Sequence, residues 1–202
     1  MAYLVLVRHG ESLWNAQGVW TGLTDIPLSD KGRKEARLAG EKIKDILFDS
    51  VYTSKLTRAI QTWEEIKKTL YQNSPPGIIS DKALNERDYG VYTGKNKWEI
   101  QTELGVEQFQ KLRRCWDFPV TSGESLKDVY NRVVPYFEKE ILPKLKSGKN
   151  ILISAHGNSL RALVKYLENI SDDKISNLEI PTGQVYMYNI DESGKIISKE
   201  IR

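Results

Sequence analysis

The stretch that decides the fold is Leu4-Val5-Leu6-Val7-Arg8-His9-Gly10-Glu11-Ser12-Leu13-Trp14-Asn15, near the start of the chain. Its first four residues form an unbroken apolar run rich in branched side chains, which predicts a buried strand. The run stops abruptly at Arg8-His9-Gly10, where glycine lets the backbone turn away at once. Sites in open α/β sheets form beyond the carboxyl ends of strands. Arg8 and His9 are therefore candidates for phosphate chemistry.

A second segment repeats this pattern late in the chain. Asn150 to Ala155 is an apolar run, and His156-Gly157 follows it. A lone histidine is more often structural than catalytic, because histidine is intermediate in burial. These are the only two histidines of the chain, however, and both stand in the same context. If the two strands are parallel neighbours, His9 and His156 converge on one pocket.

Segments with strand and helix patterns alternate along the rest of the chain. Ser29 is a predicted helix N-cap, Gly105 a predicted helix end, and Pro135 and Pro143 predicted kinks or breaks. Predicted helices cover about 29–47, 56–70, 97–104, 107–116, 124–145 and 159–167, with a short one after Ser171, and predicted strands cover 49–53, 78–80, 184–190 and 196–201, with loops at 85–97 and 117–123. This alternation is typical of an α/β sandwich.

Composition narrows the class of protein. The 202 residues, 40% hydrophobic and 28% charged, predict one globular domain over 1–202. A net charge of +3 without a Lys/Arg block argues against nucleic acid. Cys115, the single cysteine, favours a reducing compartment. We find no signal-peptide pattern and no apolar run of roughly 20 residues, so we expect a cytoplasmic protein without a membrane partner. Two histidines and one cysteine leave little for a zinc site, so we expect no metal.

Further donors suited to phosphate oxygens occur near both histidines. Arg58 is predicted near a helix N-terminus, which favours anions, and arginine binds phosphate through a planar fork. Asn15 and Asn158 add amide groups. Each residue alone also has an ordinary interpretation, since a single arginine is commonly a surface charge and Asn15 could be a loop cap.

Taken together, these motifs resemble a known family. Arg8-His9-Gly10-Glu11, followed by Ser12 and Asn15, resembles the signature of the histidine phosphatase superfamily. Segments in chain order resemble the 2,3-bisphosphoglycerate-dependent phosphoglycerate mutase family, namely 84–90 (LNERDYG), 107–108 with Arg113-Arg114, 123–128 (GESLKD), 155–165 (AHGNSLRALVK) and 180–183 (IPTG). The set covers nearly the whole chain. It implies a three-layer α/β/α sandwich with a mostly parallel central sheet.

The resemblance also implies roles for individual residues. His9 would carry the phosphoryl group as phosphohistidine, and Glu86 would be the general acid and base. The transferring phosphoryl group would be stabilised by His156, Arg8, Arg58, Asn15 and the backbone of Gly157 and Asn158. The rest of the substrate would be held by Ser12, Thr21, Gly22, Arg87, Tyr89, Lys97, Arg113 and Arg114.

Physical chemistry is consistent with these implied roles. Phosphoryl transfer depends mostly on positioning and on stabilising charge. His9 must be neutral to attack, and neighbouring arginines disfavour its protonation. A mutase must also hold the far end of a substrate that carries both a carboxylate and a phosphate. Lys97 with Arg113-Arg114 suits that second anion, although the arginine pair alone could be an ordinary basic helix face.

Three functions are therefore weighed. The leading expectation is interconversion of 3- and 2-phosphoglycerate, in glycolysis and gluconeogenesis, by an enzyme primed with 2,3-bisphosphoglycerate and needing no metal. Its partners would be small phosphoglycerates only, and it would be a monomer or small homo-oligomer. The alternative is a histidine phosphatase acting on a small phosphorylated metabolite, and a non-catalytic phospho-ligand module is a third.

The chain departs from the common family pattern in three places. The segment 115–122 is shorter than its counterpart in the longer family members, and the chain lacks their longer C-terminal tail. Asp88 stands where the family usually has histidine. These departures bear on how the site closes over its substrate, because water that enters can hydrolyse a phosphoenzyme.

Overall fold

The computed structural model, which describes residues 1–202, is built on a six-stranded sheet. The strands are β1 (Ala2–Arg8), β2 (Ser50–Thr53), β3 (Ile78–Ser80), β4 (Ile151–Ala155), β5 (Val185–Ile190) and β6 (Ile196–Ile201). They lie in the order β3-β2-β4-β1-β5-β6. The first four strands along the chain pair in parallel, whereas β5 is antiparallel to both of its neighbours. The expected mostly parallel sheet is confirmed.

Helices cover both faces of this sheet. They are α1 (Leu13–Ala16), α2 (Asp30–Glu41), α3 (Thr57–Ile66), α4 (Lys97–Arg114), α5 (Leu126–Tyr136), α6 (Leu142–Lys146) and α7 (Gly157–Leu167). Alternate residues of β1 face opposite cores, because successive strand side chains point to opposite faces. Leu4 and Leu6 pack with α5 and α7, whereas Val5 and Val7 pack with α2 and α3. The three-layer α/β/α architecture is therefore confirmed.

A third apolar cluster lies outside the two main cores. Phe109 and Leu112 of α4 pack there with Trp20 and Tyr89, and all four side chains are buried. The Trp20 and Tyr89 rings lie 4.3 Å apart between centroids. This cluster fixes α4 beside the loops that follow β1.

Two predicted helices end earlier than the apolar spacing suggested. Helix α2, capped by the Ser29 hydroxyl as predicted, ends at Glu41, and turns rather than helix bury Ile43 and Ile46. The expectation that Leu47 continues the buried face is wrong, since it is 61% exposed. Helix α3 ends at Ile66, whose carbonyl accepts a hydrogen bond from the Thr69 hydroxyl. Such side-chain bonds compete with the helical ladder.

The other predicted helices are correct in place but differ in continuity. The segments 97–104 and 107–116 are two helices, as predicted, which meet at Gly105, where φ is +75° and ψ is 161°, so that the backbone is not helical. We number the pair together as α4, and its second part ends at Arg114. The segment 124–145 is divided into α5, a π-helical turn at Phe137–Ile141, and α6. Pro135 lies in α5 and Pro143 in the first turn of α6, so the predicted disruption is confirmed. Proline cannot donate the backbone hydrogen bond that a continuous helix requires.

Short helical turns occur where loops were predicted. Helix α1 was missed, because its four residues are too few to show periodicity, although Ser12 and Asn15 form a reciprocal capping box around it. The predicted loop 85–97 contains a 3₁₀ turn at Gly90–Tyr92. Asp88 supports that turn, since its carboxylate accepts a hydrogen bond from the Gly90 amide at 2.8 Å.

Candidate active site

The two histidines meet at the carboxyl ends of paired strands. Strands β1 and β4 pair in parallel with Arg8 opposite Ala155, and the His9 amide donates to the Ala155 carbonyl at 2.9 Å. The two imidazole rings therefore lie side by side, with centroids 4.9 Å apart and planes inclined at 62°. Convergence of His9 and His156, expected if the strands were parallel neighbours, is confirmed.

The hydrogen bonds of His9 determine which nitrogen can react. Its Nδ1 lies 2.6 Å from the Gly10 carbonyl oxygen, which can only accept, so Nδ1 carries the proton. The Nε2 lone pair is then free to act as a nucleophile. A Cβ added at Gly10 would lie 2.1 Å from the Gly32 carbonyl oxygen, so only glycine lets the backbone after His9 approach the first turn of α2 this closely.

His156 is held from the opposite side. Its Nε2 lies 2.7 Å from the Ser54 hydroxyl, and it is the N-cap residue of α7. Its Nδ1 is buried and has no hydrogen-bond partner within the protein. The protein itself therefore leaves this nitrogen unsatisfied, in a ring that lies against the His9 ring.

Both imidazoles are biased toward the neutral form. Burial, followed by the positive charges of Arg58 and Arg8, holds the pKa of His9 well below its ordinary value of 6.5. Burial and the Arg58 guanidinium likewise hold the pKa of His156 well below 6.5. Desolvation and like charge both disfavour imidazolium. His9 is thus a neutral nucleophile at physiological pH.

Two arginines are fixed next to His9. Arg58, the second residue of α3, donates to the carbonyls of Thr24 and Gly22 at 2.9 and 2.8 Å. Arg8 donates to the Ile180 carbonyl. The Nε atoms of both guanidinium groups are buried and have no partner within the protein. Because guanidinium carries donors only, these atoms can bind an anion.

Glu86 is oriented by two backbone amides. Its Oε1 accepts hydrogen bonds from the amides of Arg87, at 2.8 Å, and Asn158, at 3.1 Å. Asn158 belongs to the first turn of α7, and its side-chain amide donates to the Tyr89 hydroxyl at 2.8 Å. Burial raises the pKa of Tyr89, so this hydroxyl stays protonated. One carboxylate oxygen of Glu86 is therefore fixed, and the other is left for substrate.

The site consists of two joined cavities. We call the one at the nucleophile the histidine subsite, lined by Arg8, His9, Asn15, Trp20, Thr21, Gly22, Arg58, Glu86, Tyr89 and Lys97. We call its neighbour the outer subsite, lined by Arg8, Trp20, Glu86, Tyr89, Lys97, Arg113, Arg114, Gly157, Asn158, Arg161, Glu179 and Ile180. Five residues line both, so the two cavities are continuous.

The outer subsite is strongly cationic. Lys97 lies at the first turn of α4, and burial, with help from Arg113 and Arg8, lowers its pKa to about 8. Arg113 stacks over the Phe109 ring at 5.4 Å, and Arg114 pairs with Glu179 at 2.6 Å. The sequence-predicted basic cluster is therefore assembled around one cavity, rather than spread over a solvated helix face.

Three predicted site residues line neither cavity. Ser12 is fully buried as the N-cap of α1. Arg87 is also fully buried, and its guanidinium donates to the carbonyls of Glu124 and Leu112. His156 is fully buried against the His9 ring and lies outside both linings. Direct contact of these three side chains with substrate stays a prediction.

Sequence reasoning missed four residues of the outer subsite. Trp20 and Glu179 had no motif signal, and Arg161 and Ile180 were noted only as parts of motifs. Arg161 donates to the Asn158 side chain and to the Arg114 carbonyl, both at 2.9 Å, so it connects α7 to α4. Its position four residues after Gly157 places it one helical turn from the site, and that spacing was the available signal.

The short segment 115–122 is fixed against α5 and α7. Trp116 stacks edge to face on Tyr130 of α5 at 5.4 Å, and Lys165 of α7 lies over its ring at 4.6 Å. The Trp116 carbonyl accepts from the Lys127 amide at 2.9 Å.

No helix has the combination of length and apolar character needed to cross a bilayer. No set of three or more histidine, cysteine and carboxylate side chains is grouped as metal ligands.

Comparison with known proteins agrees with this geometry. The family model of the histidine phosphatase superfamily (branch 1) matches residues 4–200. Over 200 residues the chain is 46% identical to the 2,3-bisphosphoglycerate-dependent phosphoglycerate mutase of Parvibaculum lavamentivorans, covering 98% of this chain and 95% of that one. It is 44% identical over 200 residues to the phosphoglycerate mutase of Schizosaccharomyces pombe, covering 98% and 94%.

Solved structures agree as well. The fold superimposes on Bacillus stearothermophilus YhfR with a TM-score of 0.83 and 26% identity, covering 97% of this chain and 94% of that one. The paired strand-end histidines, the two arginines and the near full-length match lead to one assignment. The chain belongs to the histidine phosphatase superfamily, branch 1, and within it to the family of the 2,3-bisphosphoglycerate-dependent phosphoglycerate mutases.

Proposed function

We propose that this protein is a phosphoglycerate mutase that interconverts 3-phosphoglycerate and 2-phosphoglycerate through a phosphohistidine at His9. The observation that carries the proposal is the continuity of the histidine subsite with the cationic outer subsite. A phosphatase needs to hold chiefly the phosphate. A cavity that presents Lys97, Arg113 and Arg114 next to the nucleophile suits a substrate with a second anionic group.

In the first half-reaction, the free hydroxyl of bound 3-phosphoglycerate attacks the phosphorus atom of the phosphoryl group that Nε2 of primed His9 carries. An O–P bond forms and the P–N bond breaks, and Glu86 accepts the hydroxyl proton, so neutral His9 is left beside a glycerate that carries two phosphates. Arg8, Arg58 and the free Nδ1 of His156 stabilise charge on the transferring group. Preorganised donors in a buried site are effective for this purpose, because they need no reorganisation during the reaction.

In the second half-reaction, Nε2 of neutral His9 attacks the phosphorus atom of the other phosphate. A P–N bond forms and the P–O bond to the glycerate oxygen breaks, and Glu86 returns its proton to that oxygen, which releases 2-phosphoglycerate and restores the phosphohistidine. The outer subsite holds the glycerate while it reorients between the two steps. Covalent catalysis thus divides one transfer between two positions into two in-line steps.

The residues present fit 2,3-bisphosphoglycerate as the primer of the phosphoenzyme. Buried polar atoms without a partner within the protein occur in both subsites. Arg58 Nε and Thr21 Oγ1 lie in the histidine subsite, Arg161 Nε in the outer one, and Arg8 Nε and Trp20 Nε1 in both. These donors match a ligand with an anionic group at each end. When bound, the bisphosphate supplies the phosphoryl group that first loads His9.

The proposal also covers the cellular compartment, the oligomeric state and the ligands of the enzyme. The enzyme acts in the cytoplasm, in glycolysis and gluconeogenesis, as a single domain over 1–202, and is a monomer or small homo-oligomer. It binds small phosphoglycerates, neither nucleic acid nor membrane, and needs no metal. Support comes from the mutase names carried by relatives at 46% and 44% identity over nearly the whole chain.

The testing experiment is a mutase assay on purified protein, with phosphate release measured in parallel. With 3-phosphoglycerate and catalytic 2,3-bisphosphoglycerate, we expect 2-phosphoglycerate to form much faster than inorganic phosphate, and addition of a chelator to leave the rate unchanged. Phosphate release exceeding 2-phosphoglycerate formation would replace the mutase with the competing histidine phosphatase. Binding of phosphoglycerate without either product would instead indicate a non-catalytic module.

A further inference from the structure

One feature of the outer subsite is unexpected for an anion site. Glu179, in the loop before β5, places a carboxylate among the cations, and its Oε1 lies 2.6 Å from Nη2 of Arg114. The Glu179 side chain is 62% exposed, so it stands at the rim. The mutase chemistry proposed above uses Glu86 and has no step for this second carboxylate.

Glu179 is negatively charged in the free protein. The hydrogen bond from Arg114 lowers its pKa, and the charges of Arg113 and Arg8 act in the same direction. Arg114, Arg113 and Arg8, three cations of the outer subsite, therefore already interact with a carboxylate of the protein itself. Any anionic group that binds there must share Arg114 with Glu179 or displace it.

The loop that carries Glu179 also contacts the other end of the site. The carbonyl of Ile180, the next residue, accepts a hydrogen bond from Arg8, which lines both subsites. The carbonyl of Leu178 lies 3.5 Å from Nη1 of Arg114. Arg114 is therefore directed toward this loop, and the position of Glu179 is fixed by contacts on both sides of it.

We propose that Glu179 is a specificity-determining residue that occupies Arg114 in the free enzyme and selects against ligands with excess negative charge in the outer subsite. The proposal rests on the proposed function for the identity of the ligands. Coulomb repulsion grows with ligand charge, so Glu179 opposes 2,3-bisphosphoglycerate more than either monophosphate. It thereby keeps the primer from saturating a site that must turn over the less charged substrates.

The test is equilibrium binding of 3-phosphoglycerate and of 2,3-bisphosphoglycerate to wild type and Glu179→Gln, each also carrying His9→Ala so that the bisphosphate cannot transfer a phosphoryl group during the titration. Trp20, one of five tryptophans, lines both subsites, so the ligand-dependent change in tryptophan fluorescence is the signal, with titration calorimetry as a second readout. Glu200→Gln is the matched control, because Glu200 is also an exposed glutamate that pairs with an arginine, Arg202, but lies on β6 outside both subsites.

We expect Glu179→Gln to tighten 3-phosphoglycerate binding by about two- to fivefold, as befits one partly exposed charge. The gain should be larger for the bisphosphate. Both gains should shrink at 1 M salt, where screening weakens Coulomb forces but would not reverse a structural change. Glu200→Gln should bind as wild type does.

Unchanged or weaker binding in Glu179→Gln, or equal gains for both ligands, would overturn the proposal. So would a gain that persists at high salt. Failure of the proposed function is separate from this. A wild-type protein that binds phosphoglycerates but makes no 2-phosphoglycerate would refute the mutase while the binding comparison still decides the role of Glu179.

Discussion

His9 and His156 stand 4.9 Å apart between ring centroids, and each has one ring nitrogen engaged and the other free. His9 is held through Nδ1 by the Gly10 carbonyl, and His156 through Nε2 by the Ser54 hydroxyl. The two rings are therefore not equivalent. The geometry assigns attack to Nε2 of His9. Where the Ser54 hydroxyl donates to Nε2 of His156, Nδ1 carries the proton, and we expect it to donate to the transferring group.

This asymmetry predicts different outcomes for the two substitutions. His9→Ala should lose the phosphoenzyme and mutase activity entirely, because no other nucleophile occupies the site. His156→Asn should still form phosphohistidine at His9, about 10²- to 10³-fold more slowly, as for loss of one stabilising donor. Rapid-quench mass spectrometry measures both. A phosphoryl group found on His156 would contradict the assignment.

Stability should fall below about pH 6.5. The unfolded chain protonates both histidines near their ordinary pKa of 6.5, whereas burial and Arg58 lower both values in the folded protein. The unfolded state then binds more protons, so the free energy of unfolding decreases as pH falls. The slope should approach about 2.7 kcal/mol per pH unit for two histidines.

Urea unfolding between pH 7.5 and 5 measures this slope. His156→Asn removes one of the two groups and should give about half the slope, whatever its stability at pH 7.5. Equal slopes for wild type and variant over this range would show that His156 titrates normally in the folded protein.

Substrate capture should weaken above about pH 8. Lys97 has a pKa of about 8 in the free protein and becomes neutral above it, so the outer subsite loses a cation. The logarithm of kcat/KM, which reports the free enzyme, should fall with unit slope on the alkaline side. Lys97→Arg keeps its charge and should remove this limb. Lys95→Arg, whose side chain lies near Tyr92 outside both subsites, should retain it.

Arg113 should matter for phosphoglycerate and not for a phosphate ester lacking a second anion. Arg113→Ala should raise KM for 3-phosphoglycerate by about 10- to 100-fold, the cost of losing a charge-assisted hydrogen bond. Hydrolysis of p-nitrophenyl phosphate should change little. Lys111→Ala, on the same helix but paired with the exposed Glu107, is the matched control. Equal losses on both substrates would place Arg113 in the phosphoryl-transfer step instead.

The loss of rate on replacing Glu86 should be larger for a leaving group that must be protonated than for one that departs as a stable anion. Glu86→Gln keeps the acceptor for the amides of Arg87 and Asn158 but cannot supply a proton, so kcat with phosphoglycerate should drop about 10²- to 10⁴-fold. Transfer from p-nitrophenyl phosphate should drop far less, because its leaving group departs as a stable anion. A similar loss on both would mean that Glu86 mainly orients the site.

The sequence pattern predicted the centre of the site better than its edges. Two apolar runs that each end in His-Gly predicted a shared strand-end pocket, because parallel pairing brings equivalent strand ends together. Glu179 and Trp20 could not be predicted in this way. Their place in the outer subsite depends on how the loop before β5 and the loop after β1 pack against α4, which local spacing does not encode.

Helix ends show the same limit. Ile43 and Ile46 are buried at helical spacing, yet both lie after the end of α2, in non-helical backbone. Burial constrains where a side chain points, and it does not determine which backbone hydrogen bonds form. Ser29, Gly105 and Pro135 were more informative, since each acts on the local backbone directly. Arg87 shows a different limit. It belongs to a motif that predicted substrate contact, but its guanidinium binds backbone carbonyls and so stabilises the chain next to Glu86.

The central claim is that phosphate leaves His9 for phosphoglycerate and not for water. The most direct measurement loads the enzyme with labelled phosphate from 2,3-bisphosphoglycerate and then chases the isolated phosphoenzyme with unlabelled 3-phosphoglycerate in a single turnover. We predict that the label appears in bisphosphoglycerate and 2-phosphoglycerate well before inorganic phosphate. Label released mainly as inorganic phosphate, at a rate independent of 3-phosphoglycerate, would contradict the mutase.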